Sequence, residues 1–519
     1  MHPLALAELA SPTGTDGVPF RGTPNHVHRT WARTFSSLPE LYIQPQSLAE
    51  IEKVVNLARA CRRHISTTGC GHSPSNITCT SSWMVNLDNY NAVLSVDEKT
   101  GVVVMQSGIR LFQLCKELDK YGLAMPNLGS INEQSIAGAI STGTHGSSAR
   151  HGLMSEDVIA LKITLASGET KACSKTENPD LFRAALLSLG ALGIITEITF
   201  QAVPEFTLRW SQTIDSDQKM FNTWDTTLWS QSEFVRVWWF PYTRRAVVWK
   251  AEKTEEEPRE PSTSWQDGPL GYYLYHNLLY VSQFVPKLLP WVEWFFFGLQ
   301  YGFPNGSTTS AIQPSRKALL MNCLYSQFVN EWALPLEKGP LAIRRLSSWL
   351  NHLSPSDPDY VPHGIPFSAD GLYVHAPVEV RISDTTLTSN ARPYLDPTCE
   401  AGPTLYLNAT LYRPYLADPP CRERYYEAFE WLMRDMGGRP HWAKNFVVGA
   451  RDVEAWYGKD IAEFRRIRDE ADPLGMFVGA WHREKIMADT DGVLELEEME
   501  VRRVKNAENG VVAFGSLKG

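Results

Sequence analysis

The sequence contains no C-x-x-C pair and no cysteine–histidine spacing of the kind that binds zinc. Its eight cysteines, at positions 61, 70, 79, 115, 173, 323, 399 and 421, stand singly. Single cysteines suit a reducing compartment better than a disulfide framework, and no metal is expected. There is no basic excess either. The 49 Lys and Arg against 58 Asp and Glu leave a net charge of −9, so no basic face is available for a phosphate backbone and no nucleic-acid partner is expected. The first 20 residues hold Glu8 and Asp16 but no Lys or Arg, which argues against both a signal peptide and an Arg-rich transit peptide. G-x-G-x-x-G is missing, which disfavours the usual Rossmann dinucleotide motif. No internal repeat and no C-terminal lipidation or retention signal is found.

What is present fits a folded protein. A chain of 519 residues exceeds one compact core, so two domains are expected. The 43% hydrophobic and 21% charged residues are ordinary for a soluble fold. The 17 Trp, 19 Tyr and 21 Phe belong first to the core and secondly hint at a flat ligand or a membrane surface.

Residues 37–205 read as strand and helix units. Ser47 with Glu50 three residues on opens a helix, LAEIEKVVNLARACR. HISTTG is a strand running into a glycine turn, and Lys99-Thr-Gly101 turns a hairpin. RLFQLCKELDKYGLAM has helical spacing, VIALKITLASGETKAC is a second hairpin, and NPDLFRAALLSLGALGIITEITFQAV is helix, glycine turn and strand. From 206 a second sheet begins, with strands in EFVRVWWFPYTRRAVVWKAE, GLYVHAPVEVRIS and PTLYLNATLYRPY, and a helix over CRERYYEAFEWLMRDMG. Residues 252–269 are acidic and rich in Pro and Ser, as in an exposed loop. Residues 272–302 put Leu274, Leu278, Val281, Val285, Leu288, Val292, Phe295 and Leu299 on one helical stripe, which Pro286 and Pro290 must kink or divide. Lys287, Glu293 and the prolines disfavour a bilayer span. An interfacial amphipathic helix and a helical pair packed on its own domain both remain open.

Two glycine-rich segments suit a pyrophosphate. Glycines let successive N–H groups face one concavity, and Ser/Thr hydroxyls add donors. They are Thr67-Thr68-Gly69-Cys70-Gly71-His72-Ser73-Pro74-Ser75, and Gly129 through Gly146 with Ser130, Ser135, Gly138, Ser141, Thr142, Gly143 and His145. Each alone reads equally well as a tight turn; together, each with a His beside Gly, they point to one ligand.

In order, GCGHSPS, GSINEQSIAGAISTGTHG, GALGIITEITFQ, VEVRIS and HWAKNF make the sequence resemble the aldonolactone oxidoreductases of the vanillyl-alcohol-oxidase flavoprotein superfamily, from about residue 35 to the C-terminus. PCRERYYEAFEWL and the aromatic insertion look most like the fungal members that act on D-arabinono-1,4-lactone; the animal L-gulonolactone oxidases are next. The resemblance implies a two-domain α+β fold, with an FAD-binding domain of the PCMH/VAO type over 35–205 and a cap that holds the substrate over 206–519. FAD would be bonded to His72, where the plant dehydrogenase has an apolar residue and holds its flavin non-covalently. Thr68, Gly69, Cys70, Gly71, Ser73, Pro74, Ser130, Ser135, Gly138, Ser141, Thr142, Gly143, His145, Gly146 and Ile195 would line the flavin. Gly129 stands where the plant dehydrogenase has an alanine that obstructs dioxygen, so O2 is the expected acceptor and H2O2 the product. Glycine there also suits a simple turn.

Glu379 and Arg381, two apart on a strand, share a face while Val378 and Val380 point the other way. In most sequences such a pair is a solvated ion pair. The family position brings it to the substrate side of the flavin, where a carboxylate can take the C2-hydroxyl proton and a guanidinium can orient it. Lys444 is expected at the flavin N1–C2 carbonyl edge, favouring the reduced form, with His441 on the same face if that turn is helical. The catalytic set implied is therefore Glu379, Arg381 and Lys444, and the substrate set Ser130, Glu379, Arg381 and His441. The expected reaction is hydride transfer from C2 of D-arabinono-1,4-lactone, or a related aldonolactone, to FAD, yielding D-erythroascorbate. A dehydrogenase passing electrons to cytochrome c or a quinone is the alternative. A third reading, a membrane-peripheral binding protein with a vestigial flavin fold, is disfavoured by the intact His72, Glu379, Arg381 and Lys444. The resemblance also implies a mitochondrial membrane location, for which only the stripe at 272–302 speaks in the sequence.

Overall fold

The computed structural model describes residues 1–262, 265, 268–321, 325–375, 377–387, 390–487 and the backbone of 502–503. Cys323, part of the acidic stretch at 252–269, and the C-terminal segment after 487 therefore lie wholly or partly outside the described residues. The other seven cysteines are free thiols.

The first helix to build the flavin side spans Leu48–Cys61. Ser47 Oγ accepts the Glu50 N–H at 3.2 Å, which satisfies one of the orphan donors at the helix start, and the Glu50 carboxylate accepts the Gln46 N–H at 2.9 Å, which fixes the incoming chain. Arg62 ends it in the left-handed region (φ 53°). Its buried face, Ile51, Val54, Val55 and Ala58, packs with Leu41, Ile43, Ile65, Trp83 and Val85 of a four-stranded sheet. The strand Ile65–Thr68 pairs in parallel with Trp83–Asn86 and delivers the chain into Gly69–Gly71. A five-stranded antiparallel sheet follows, ordered Thr170–Ser174, Val158–Thr164, Ile194–Gln201, Val102–Gln106, Val93–Asp97. Its Lys99-Thr-Gly101 turn forms as expected, with Gly101 at φ 72°. The helix read over RLFQLCKELDKYGLAM closes earlier, at Asp119. Gly122 (φ 63°) breaks it, and Leu123–Ala124 pairs instead with Val203–Pro204.

An antiparallel sheet of eight strands occupies 207–440, ordered Ser307–Pro314, Thr207–Ser216, Arg245–Thr254, Phe234–Phe240, Val378–Ser383, Thr404–Tyr412, Gln327–Pro335, Arg439–Pro440. The helices Gly339–Leu350 and Arg422–Asp435 cover one face. There Val378, Val380 and Ile382 meet Ile343, Leu346, Phe429 and Leu432, each contributing about 1.5–3 kcal/mol of burial. The strand expected from Gly371 begins only at Val378, since Pro377 has no N–H to give a ladder. The helices Ala450–Tyr457, Lys459–Ala471 and Ala480–Lys485 share the core of the five-stranded sheet, so the late part of the chain returns to the flavin side.

The insertion is two helices, Pro269–Phe284 and Leu289–Tyr301, divided at Pro286–Leu288 as the prolines required. The buried face differs from the expected stripe: Tyr275, Leu279, Leu289, Val292, Phe296 and Phe297 pack on Ile214, Phe240 and Val247. Val281, Val285 and Leu288 are exposed: in the first helix the buried ridge runs through Gly271, Tyr275, Leu279 and Ser282, one residue beside the expected stripe, and Val285 and Leu288 fall in the break. Among the described residues no helix is long and apolar enough to cross a membrane.

Candidate active site

Gly69 passes so close to Ser135 that a Cβ there would stand 2.6 Å from the Ser135 Oγ. The two glycine-rich segments, far apart in sequence, therefore converge. Ser135 also caps the short helix Ile136–Ser141 through the Gly138 N–H. Between them lies a cleft of about 1010 Å³, lined by Thr68, Gly69, Cys70, Gly71, His72 and Ser73 on one side. Ser135, Gly138, Ser141, Thr142 and Ile195 line it on the other. A second cavity, about 1090 Å³, shares His72, Ser73 and Gln134 with the first, so the two meet there. Pro74, Gly129, Ser130, His145, Glu379, Arg381, His441 and Lys444 all face it.

Gly143 and Gly146 line neither space. Gly143 is a left-handed turn (φ 73°) over Leu187, and a Cβ on Gly146 would meet the Asn127 side chain at 2.0 Å, so both serve backbone packing. Gly129 is not in the left-handed region, so its turn does not demand glycine. A Cβ there would lie 3.0 Å from Thr144 Cγ2, beside Gln134.

The cleft tests well against a flavin dinucleotide. Thr67 Oγ1, Ser107 Oγ and His72 Nε2 are buried, face it and have no hydrogen-bond partner, a set of polar atoms shaped for a polar ligand. The His72 ring stacks on Trp31, with centroids 4.6 Å apart. Burial first, then Lys444 and Arg110, push its pKa down to about 3, so the imidazole is neutral and keeps a nitrogen lone pair.

The sheet's register builds the second cavity. Trp238 lies opposite Glu379, Glu379 opposite Asn408, and Asn408 opposite Glu331, a row across four strands. Period-two alternation turns this row away from the helix-covered core. Arg381, one pair along the same face, stands 3.6 Å from Glu379 Oε1 and donates to Ser130 Oγ at 3.2 Å. The pair is buried rather than solvated: the Glu379 side chain is 12% exposed and Arg381 6%. Glu379 Oε1 accepts no hydrogen bond.

Lys444 arrives on a strap rather than a helix. Residues 441–446 form a turn, with the Lys444 N–H on the His441 carbonyl. The His441 and Asn445 N–H groups bond Glu331 and Val329 carbonyls, while Ser75 Oγ and Asn445 Nδ2 tie the strap to the first glycine segment. His441 is buried, which lowers its pKa well below the usual range.

Sequence reasoning missed Glu331, Asn408, Trp31 and Arg236. Glu331 Oε1 is 2.8 Å from His145 Nε2, and Asn408 Nδ2 donates to Oε2 at 3.0 Å. Lys444 Nζ and an Arg381 nitrogen each lie 3.5 Å from the same carboxylate. Burial alone would raise the Glu331 pKa; Lys444, Arg381 and His145 outweigh it and hold the group well below the carboxylate range. For His145 burial and Arg381 dominate and keep the ring neutral. Arg236, buried behind Arg381, donates to the Leu319 carbonyl. The one signal for Glu331 was a charge inside an apolar strand run, QFVNEWALP.

Comparison with known proteins identifies the family and the fold. Residues 198–485 match the family model described as D-arabinono-1,4-lactone oxidase, and residues 39–174 match an FAD binding domain. A Neurospora crassa protein to which the name D-arabinono-1,4-lactone oxidase is provisionally attached is 61% identical, over 95% of this chain and 92% of its own. D-arabinono-1,4-lactone oxidases of Yarrowia lipolytica and Saccharomyces cerevisiae are 39% and 37% identical, covering 90% and 93% of this chain and 98% and 99% of theirs. Cholesterol oxidase from B. sterolicum shares the fold, with a TM-score of 0.72 at 15% identity over 90% of this chain and 98% of that one.

Proposed function

The chain belongs to the D-arabinono-1,4-lactone oxidase family, and from that membership and the site geometry we propose that it oxidises D-arabinono-1,4-lactone, or a close aldono-1,4-lactone, at C2. It is an FAD-dependent oxidoreductase with an α+β fold. The observation that carries the substrate reading is the buried Glu379–Arg381 pair facing a cavity that opens at His72 into the glycine-lined cleft.

FAD held in that cleft supplies a hydride acceptor and, once reduced, a two-electron donor to dioxygen. The chain's own residues do the rest. Backbone N–H groups of the two glycine turns and the Ser135, Ser141 and Thr142 side chains, which line the cleft, would hold the cofactor's polar chain. His72, neutral and with an unclaimed Nε2, is the covalent tether. Glu379 Oε1, free of hydrogen bonds, takes the C2-hydroxyl proton as hydride leaves C2. Arg381 steadies that carboxylate and, with Ser130, holds a substrate hydroxyl. Lys444 puts a positive charge on the cavity wall, which would favour the reduced form of a flavin bound against it. His441 contributes a neutral ring to the substrate wall. The 2-keto lactone then enolises to D-erythroascorbate.

Dioxygen is the acceptor in this reading, supported by Gly129, which faces the second cavity and lacks the methyl that would press on Thr144 and narrow the space beside Gln134. Membrane attachment is supported by the exposed Phe284, Leu288, Trp291 and Trp294 of the helical pair, and a mitochondrial membrane by the family resemblance. The test is turnover of a lactone panel with peroxide and acceptor-dye reduction followed side by side. D-arabinono-1,4-lactone should give the highest kcat/KM and one peroxide per turnover. Dye or cytochrome c reduction without peroxide would instead favour a dehydrogenase.

A further inference from the structure

We propose that Glu331, which lines neither cavity, is the positioning residue of the lactone site: it holds Arg381 between two carboxylates, and so leaves Glu379 open to act on the substrate. This deepens the oxidase reading and rests on it.

Glu331 has a side chain of 0% exposure, yet its carboxylate meets groups from four separate segments: His145, Arg381, Asn408 and Lys444. All four of these groups face the lactone cavity. Glu331 also holds a fifth lining residue, His441, through its backbone carbonyl. A buried carboxylate in a purely structural role would need partners only to satisfy itself. Here every partner is a member of the site.

Arg381 is the informative one. It lies 3.5 Å from Glu331 and 3.6 Å from Glu379, an even division between two acids. A guanidinium offered a single carboxylate prefers a tight, two-pronged pair that occupies both acid oxygens. If Glu331 lost its charge, its pull on Arg381 would be gone, and a closer Arg381–Glu379 pair would take the oxygen that now accepts no hydrogen bond. Glu331 also contributes one of the two negative charges set against Arg381 and Lys444, and so would temper the field felt by a flavin bound against this cavity.

These two effects act in opposite directions, and this yields a signature that a loosened structure would not produce. In the Glu331→Gln holoprotein the flavin should become easier to reduce. The reduced-to-oxidised ratio at a fixed potential should rise about tenfold, which for a two-electron couple is a positive shift of about 30 mV. Reduction by saturating lactone should nevertheless slow at least tenfold in kcat. Glu331→Asp keeps the charge; its midpoint potential should match the wild type, while its shortened reach costs an intermediate loss in kcat.

The midpoint potential is measured with chemical reductant and reference dyes, without lactone, so it tests Glu331 even if no lactone is a substrate. Wild-type protein that no lactone reduces would sink the oxidase reading. A Glu331→Gln protein with wild-type potential and wild-type kcat would overturn the positioning role while leaving that reading intact. So would a potential shift in the Asp variant equal to that in the Gln variant. If Glu331→Gln does not accumulate with flavin, Glu331→Asp decides alone: reduced kcat at unchanged potential is expected, and wild-type kcat overturns the proposal.

Discussion

His72 is stacked on Trp31, buried, and kept neutral by a pKa near 3, the state in which its ring can form a carbon–nitrogen bond. His72→Ala should still bind FAD through the two glycine turns. After acid precipitation, however, all of its flavin should appear in the supernatant, where the wild type keeps its flavin in the pellet; yellow pellets from the variant would place the tether elsewhere. Glu379→Gln should retain flavin at wild-type content and reduce it about 10²- to 10⁴-fold more slowly with lactone, as expected for loss of a general base. Gly129→Ala requires Thr144 to give only a few tenths of an ångström, so the protein should fold normally. Its reduction by lactone should change less than reoxidation by air, which should slow at least tenfold in stopped-flow traces. At this scale the sequence was most legible where spacing fixes direction. Glu379 and Arg381 share a face because strands have period two. Glu331 was hidden because its strand, Gln327–Pro335, is buried on both faces, and only the pairing with Asn408 shows which acid meets which cation.

Among the elements, the helical pair at 269–301 shows how a carboxylate can secure an apolar helix. Glu293 Oε1 accepts the Tyr242 and Thr243 N–H groups and the Thr243 hydroxyl, tying the second helix to the turn between Phe234–Phe240 and Arg245–Thr254. Burial raises its pKa to about 8, against the 4.5 of a free carboxyl, so the folded protein holds it protonated at neutral pH. The raised value fixes the sign: its contribution is complete below about pH 4.5 and is lost as pH climbs through about 8. Thermal unfolding followed from pH 5 to 9 should therefore show the wild type losing stability more steeply than Glu293→Gln. Parallel slopes would contradict the assignment. From Pro286 and Pro290 the sequence required a kink or a break here, and left open whether the segment is an interfacial helix or a packed pair; the break falls at Pro286–Leu288. The sequence did not foretell the buried face, because aromatic bulk (Tyr275, Phe296, Phe297), not leucine spacing, fills the groove over Phe240 and Val247. Short strand limits were equally hidden: Pro377 stops the ladder that alternation alone would have extended.

Across the whole molecule, the flavin cleft and the lactone cavity are made by parts of the chain more than 300 residues apart. Asn445 and Ser75 fasten the strap that carries Lys444 onto the first glycine segment, and Arg413 and Ser326 grip the carbonyl of Ala32 beside Trp31. The order of motifs made the two-part α+β plan legible. The long-range pairing that brings His72, Glu379 and Lys444 to one place was not, since it depends on sheet register and side-chain straps that leave no periodic trace. The most direct test mixes purified protein with D-arabinono-1,4-lactone in the absence of air and follows the flavin absorbance. The account predicts complete bleaching by one equivalent of lactone, and full recovery on admitting air with one equivalent of hydrogen peroxide. A yellow protein whose flavin no aldonolactone bleaches would contradict it.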